Sequence, residues 1–293
     1  MNKLMAIIAV LLIILLGVGT FFDFQIAQML LSEGGAFMTF FYYVTPVIFG
    51  TIMVMSGALA CFCIDYKNIK KWKIPLIILG SIPAWVFGFG FNYAYFGISG
   101  VILSIIALIT VIYLSLKMPA ELKKKYFRVG ISIIIIAVGG IFLIEWSKAV
   151  WGRVRFRSMQ ADLEMFSHWW VIHGEKYYDM VPVRNEILSF PSGHSQWGAT
   201  TIVLSLLCLV NPKWQSKEKI VFLFGIFVGF MTMLSRLFQG AHFLSDVAVG
   251  TGVALFLFFI CRKYIVLKND KLLQIVLLTG TFLGFMTLIS RLF

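Results

Sequence analysis

Charge is scarce in this chain. Only 13% of its 293 residues are Asp, Glu, Lys or Arg, against 60% hydrophobic residues and a mean hydropathy of +0.93. That leaves too little polar surface to cover a water-soluble particle, so a soluble globular protein is excluded. Thiols are also few. Cys61, Cys63, Cys208 and Cys261 all fall in or at the ends of apolar runs with no C-x-x-C pair among them, which excludes a disulfide framework and a zinc site. No compact cluster of carboxylates is present to hold a metal ion. No small-x-small cleavage site precedes Phe21-Phe22-Asp23, so the apolar run behind Lys3 reads as a retained span rather than a signal peptide.

What the chain has in abundance is long apolar runs. Stretches able to cross a bilayer as helices lie at about residues 4–22, 37–63, 129–149, 194–210, 220–238, 242–261 and 272–290. A further uncharged stretch between Lys73 and Lys117 is too long for one crossing. Gly-Phe-Gly-Phe-Asn-Tyr-Ala-Tyr-Phe-Gly interrupts it near the middle, so it reads as two spans joined by a tight aromatic turn. The expectation is an all-α membrane protein, a polytopic transmembrane helix bundle of about nine spans.

Basic residues set the expected orientation, because Lys and Arg in short loops resist translocation. Of the 25, 17 lie at Lys3 or in the loops 67–73, 117–128, 213–219 and 262–271. Nine spans put all of these on the side of the N-terminus, expected to be cytoplasmic, in a cell membrane (inner or plasma) of bacterial type. The other eight, Lys148, Arg155 and Arg236 among them, fall on the opposite, extracytoplasmic side. A net charge of +12 would suggest nucleic acid in a soluble protein, but here it resides in topology signals beside anionic headgroups. The lipid bilayer is the expected partner, with neither nucleic acid nor an obligatory protein partner.

One internal repeat is present. Residues 220–238 and 275–293 align without gaps, with 13 of 19 positions identical, and Ser235-Arg236 recurs as Ser290-Arg291. Nothing equivalent to His242 or Asp246 follows the second copy, so Arg291 reads as a headgroup-level side chain of an extra span rather than part of a second site.

Three short runs carry the chemistry: Lys148 with Arg155 seven residues on; Pro191-Ser192-Gly193-His194; and Ser235-Arg236 followed by His242 and Asp246. Taken singly each has an ordinary structural explanation, namely interfacial snorkelling, a helix cap, or a satisfied histidine. Together they supply what phosphoryl transfer needs: fixed positive charge, donors at a helix start, and two imidazoles. On a helix beginning near His242, Asp246 lies one turn on, where its carboxylate is expected to accept the imidazole N–H and orient the ring. Pro191-Ser192-Gly193-His194 precedes an apolar run and is expected to open a helix whose first N–H groups attract an anion. Glu145, one turn before Lys148 inside an apolar span, is expected to pair with it.

These runs resemble the three-part signature of the type 2 phosphatidic acid phosphatase superfamily, over about residues 129–261. The resemblance implies that His242 attacks phosphorus to give a phosphohistidine, that Asp246 orients it, and that His194 protonates the leaving group. Lys148, Arg155, Ser192, Gly193 and Arg236 would hold the phosphoryl oxygens, and no metal or other cofactor is implied. One departure stands out: the family's first motif usually ends Arg-Pro, whereas Phe156 follows Arg155, so Arg153 or Arg157 could substitute in the phosphate contact.

The expected organisation is a four-span region over 1–128, a catalytic core over 129–261 that includes an extracytoplasmic loop at 150–192, and an extra span over 262–293. His168 and His173 in that loop belong to no recognisable spacing and read as structural, while its aromatic residues suit a cap lying on the membrane. The expected function is hydrolysis of the terminal phosphate of a membrane lipid at the outer face: undecaprenyl pyrophosphate, phosphatidylglycerol phosphate or phosphatidic acid. Two alternatives stay open. An alcohol could resolve the same intermediate in a lipid phosphotransferase, or the cations could serve a non-enzymatic transporter of anionic lipid, although the repeat has the same orientation as its partner rather than the inverted one typical of transporters.

Overall fold

A computed structural model describes residues 1–32, 35–65, 69, 71–159 and 162–266. The last expected span, with the copy at Ser290-Arg291, lies outside the described residues. Among the described residues eight α-helices follow one another: α1 (Asn2–Leu30), α2 (Ala36–Phe62), α3 (Lys73–Lys117), α4 (Ala120–Trp151), α5 (Gly193–Thr200), α6 (Leu204–Val210), α7 (Glu218–Phe238) and α8 (Leu244–Ile260). Among the described residues, six helices are long and apolar enough to cross a membrane, with α3 counted once. The chain is a multi-pass membrane protein of helical fold. The apolar run at 194–210 is α5, one 3-10 turn and α6 rather than a single helix.

The aromatic interruption within α3 is a true reversal. Gly97 has φ 58° and ψ −141°, a backbone setting that side-chain-bearing residues avoid. Asn92 Nδ2 donates to Ser104 Oγ at 2.7 Å. Twelve residues of straight helix would separate those positions by roughly 18 Å, so the chain folds back at Gly97 as a helical hairpin. Pro119 ends the second arm and opens α4, its carbonyl accepting from the N–H groups of Leu122 and Lys123.

The residues fall into two compact units. One comprises Pro46–Phe142, Thr200–Ile226 and residues 256 onward, and holds the α3 hairpin and the Arg262–Glu218 ion pair at 2.8 Å. The other comprises Met1–Thr45, Leu143–Ala199 and Phe227–Leu255. It gathers all of α1, the C-terminal ends of α4 and α7, the N-terminal parts of α2 and α8, nearly all of α5, and the segment between α4 and α5. Every candidate residue of the three motifs lies in this second unit.

Here α1 reaches eight residues beyond its expected end at 22, and one face of its length is packed against the rest of this unit. Leu12, Leu15, Ile26 and Leu30 pack against a buried cluster of Met233, Leu237, Leu244 and Val247. Ala27 belongs to a second cluster with Val154, Phe156 and Phe243. Ile7, Ile13, Ile14 and Phe21, on other faces, remain exposed, as a lipid-contacting surface should.

The segment between α4 and α5 is a folded layer of 3-10 turns and loops. Trp169 Nε1 donates to Thr20 Oγ1 of α1 at 3.0 Å, and Trp151 Nε1 to the Trp169 carbonyl at 2.6 Å. Some of its aromatics therefore pack inward rather than serving only as membrane anchors. His168 stacks on Trp170 with ring centroids 4.4 Å apart, and His173 meets Tyr177 edge-on at 5.1 Å.

Candidate active site

The loop before α5 docks on the first turn of α8 and brings two motifs together. Ser192 N–H donates to the Asp246 carbonyl at 3.0 Å. Ser192 caps α5, its hydroxyl oxygen accepting from Ser195 N–H at 3.4 Å and from Ser195 Oγ at 3.0 Å. A methyl group on Gly193 would stand 3.4 Å from Lys148 Nζ, so the first motif reaches the second at the start of α5. Lys148 Nζ itself lies 3.2 Å from Glu145 Oε1, the pairing expected from their spacing.

His242 sits in the turn before α8, which begins two residues later, at Leu244, rather than near His242 as expected. Its Nδ1 lies 2.7 Å from the Ser189 carbonyl and 3.6 Å from Asp246 Oδ2. The expected direct hydrogen bond from imidazole to Asp246 is thus replaced by one to a backbone carbonyl, with the carboxylate close behind it. A carbonyl can only accept. Nδ1 must therefore carry the proton, and in the neutral ring Nε2 holds the lone pair. Asp246 is fixed independently: Oδ2 accepts from Ser189 Oγ at 2.5 Å and from Phe243 N–H at 2.9 Å, while Oδ1 accepts from Arg153 at 2.5 Å.

The three arginines at 153, 155 and 157 have different partners. Arg153 is fully buried between Asp246 and Asp23, the latter at 3.0 Å. Arg157 forms a bidentate pair with Glu186. Arg155 meets no carboxylate: one terminal nitrogen donates to Asn185 Oδ1 at 3.2 Å, and its buried Nε has no hydrogen-bond partner among the described residues. Substitution of Arg155 by Arg153 or Arg157 in an anion contact is therefore contradicted, since both are committed to carboxylates. Nor is a proline needed to position Arg155, because backbone bonds tie the segment at Arg153 O to Ser189 N–H (2.9 Å), Arg155 N–H to Glu186 O (2.8 Å) and Arg157 N–H to Gly240 O (3.0 Å). Phe156 is buried in the proline's place, meeting Phe24 at 5.7 Å and Phe243 at 6.1 Å.

Burial alone would raise the Glu186 carboxyl. Hydrogen bonds from Arg157 and Ser158 and the charges of Arg155 and Arg157 outweigh it and bring the group down to about 2.

Two residues that no motif points to complete the centre. Tyr42 of α2 stacks on His194 with centroids 5.4 Å apart and planes 16° from parallel, and the Arg236 guanidinium lies 5.4 Å from the same ring. Trp197 packs on His194 at 4.4 Å. Bonds to α7 hold α2 there: Ser235 Oγ to the Met38 carbonyl at 3.0 Å, and Thr45 Oγ1 to Thr232 Oγ1 at 2.9 Å. Arg236, nearly buried, also donates to Gln239 Oε1 at 2.5 Å. The second residue is Asp23 of α1. The basic groups Arg236, His242, Lys148 and Arg155 all act on His194 electrostatically, and Arg155 and Arg236 act on His242. All three motifs thus converge on one buried, positively charged centre.

Residues 128–270 match the model of the PAP2 superfamily. This segment belongs to that superfamily. A relative named phosphatidylglycerophosphatase B, from Bacillus subtilis (strain 168), is 32% identical over 89 residues, 29% of this chain and 44% of the relative. The chain thus spans less than half the length of that curated relative. No solved structure matches the chain. Asp23 and Tyr42 both lie outside the matched PAP2 segment.

Proposed function

We propose that this PAP2-superfamily protein is a metal-independent phosphatase that removes the terminal phosphate of a membrane lipid through a phosphohistidine intermediate at the extracytoplasmic face. The observation that carries the reading is the Nδ1 contact of His242 with the Ser189 carbonyl, which leaves Nε2 as a nucleophile inside a cationic pocket. Nε2 attacks phosphorus, the P–O bond to the lipid breaks, and His194 gives a proton to the departing oxygen. The ring is then an imidazolium, and Asp246 at 3.6 Å stabilises it. Water, deprotonated by His194, next attacks phosphorus, the N–P bond breaks and its electron pair returns to Nε2. Arg155, Arg236, Lys148 and the N–H groups opening α5, with the Ser192 hydroxyl, hold the phosphoryl oxygens, and their charge is what stabilises the transition state.

A lipid substrate suits groups gathered at helix ends, where a headgroup sits while its tails stay in the bilayer. The name of the Bacillus relative favours phosphatidylglycerol phosphate among the candidates, ahead of phosphatidic acid and undecaprenyl pyrophosphate. The outer face is supported by the distribution of Lys and Arg.

The test is phosphate release by purified protein in chelator across these three lipids, with His242→Ala as control. Radiolabelled substrate quenched early should leave label on the wild-type protein that survives alkali and is lost in acid. Full activity of His242→Ala on every lipid would exclude the reading.

A further inference from the structure

Asp23 is 2% exposed near the C-terminal end of an apolar helix. A carboxylate there is costly unless it is paired and does something. Its partners are Arg153 Nη2 at 3.0 Å, Ser245 N–H at 2.9 Å and the Ser245 hydroxyl. The same guanidinium donates through Nη1 to Asp246 Oδ1 at 2.5 Å and to Ser245 Oγ at 2.9 Å. The order Asp23, Arg153, Asp246, His242 is therefore a line of alternating charge that ends on the imidazole. Gly19, one turn before Asp23, makes the approach feasible: a Cβ there would lie 2.8 Å from Ser245 N.

The physical consequence follows from sharing. One guanidinium against one buried carboxylate neutralises it, and a neutralised Asp246 gives little support to a positive imidazole. A second carboxylate on the same guanidinium restores a net negative charge to the group. We propose that Asp23 is a positioning residue for the phosphoryl transfer: by occupying the far side of Arg153 it leaves the Asp246 carboxylate its charge for the His242 imidazolium, making α1 part of the catalytic centre. The inference rests on the phosphohistidine reading above. It makes Arg153 a holder of Asp246 rather than a ligand of phosphate.

A merely structural Asp23, one that caps α8 and fastens α1, predicts a different pattern of losses, and charge complementation separates the two. Four proteins are compared on a lipid phosphate, with inorganic phosphate inhibition as a check that the pocket is formed: Asp23→Asn, Arg153→Gln, the double variant, and Ser245→Ala. The expected result is a kcat loss of at least about tenfold in Asp23→Asn with KM within about threefold. The double variant should be at least about fivefold faster than either single one, because it restores the group's net charge of minus one, which Asp23→Asn abolishes and Arg153→Gln replaces with two unpaired buried carboxylates. Ser245→Ala, which removes the hydroxyl that helps fasten α1 but leaves every charge, should stay within about threefold of wild type.

Should Asp23→Asn fail to fold, the double variant against Arg153→Gln decides alone. A double variant no faster than its folded single parents, or a Ser245→Ala loss matching that of Asp23→Asn, would overturn the proposal. An active His242→Ala control would instead overturn the phosphohistidine reading beneath it.

Discussion

Lys148 and Glu145 form an ion pair across one helical turn, with 3.2 Å between Nζ and Oε1, and the lysine end touches the start of α5. Glu145 is a third exposed and Lys148 mostly covered, so the pair is a placement device of modest strength rather than a large stabilising contact. Glu145→Gln should raise KM about two- to fivefold with kcat nearly unchanged, on the scale of an exposed pair. Steady-state kinetics on a lipid phosphate measures this, and identical constants for the two proteins would disprove it.

Among the three neighbouring arginines, Arg155 alone makes no ion pair with a carboxylate of the described residues. Arg155→Ala should weaken competitive inhibition by inorganic phosphate about 10- to 100-fold, the scale of a charge-assisted hydrogen bond. Arg157→Ala should leave that inhibition within about threefold of wild type and loosen the segment between α4 and α5 instead, seen as faster proteolysis there. Equal effects of the two substitutions on phosphate inhibition would contradict this division of roles.

The Tyr42 ring lies flat against His194. If it holds the proton donor in place, its loss should matter only where the leaving oxygen needs a proton. Tyr42→Ala should lower kcat on an alkyl lipid phosphate about tenfold or more, and spare an aryl phosphate such as p-nitrophenyl phosphate, whose leaving group departs as an anion. Tyr42→Phe keeps the ring and should behave as wild type. A uniform loss on both substrates would count against the idea.

Glu186 has a folded value near 2, below the ordinary 4.5 of a free glutamate. Its contribution to stability is therefore complete above pH about 4.5 and is lost as pH falls through about 2. The difference in melting temperature between wild type and Glu186→Gln, measured in detergent, should be flat from pH 5 to 8 and shrink on acidification towards pH 3. A difference that grows with acid would refute the assignment.

Much of this could be read from residue order. Hydropathy located the six long apolar helices among the described residues, the α3 reversal was announced by its glycine and aromatic run, and the Glu145–Lys148 pair follows from local spacing. The three motifs meet as expected. The rest depended on contacts that spacing cannot encode. Ser189 serves His242 through a backbone carbonyl, which any residue could supply. Asp23 and Tyr42 are single polar residues in spans without a motif, brought in by helix packing from segments 222 and 152 positions away from Ser245 and His194. Asp23 did carry one faint signal: a carboxylate close to an apolar run demands a partner. The division of labour among Arg153, Arg155 and Arg157 was invisible because their identical side chains differ only in what surrounds them.

The hairpin at Gly97 bears on biogenesis. Asn92 reaches Ser104 in the other arm and Thr51 of α2, and a bare amide in hydrocarbon costs several kcal/mol, roughly 2–7. An arm released singly into lipid would carry that penalty. The two arms should consequently leave the translocation machinery as a pair, already docked on the preceding helix.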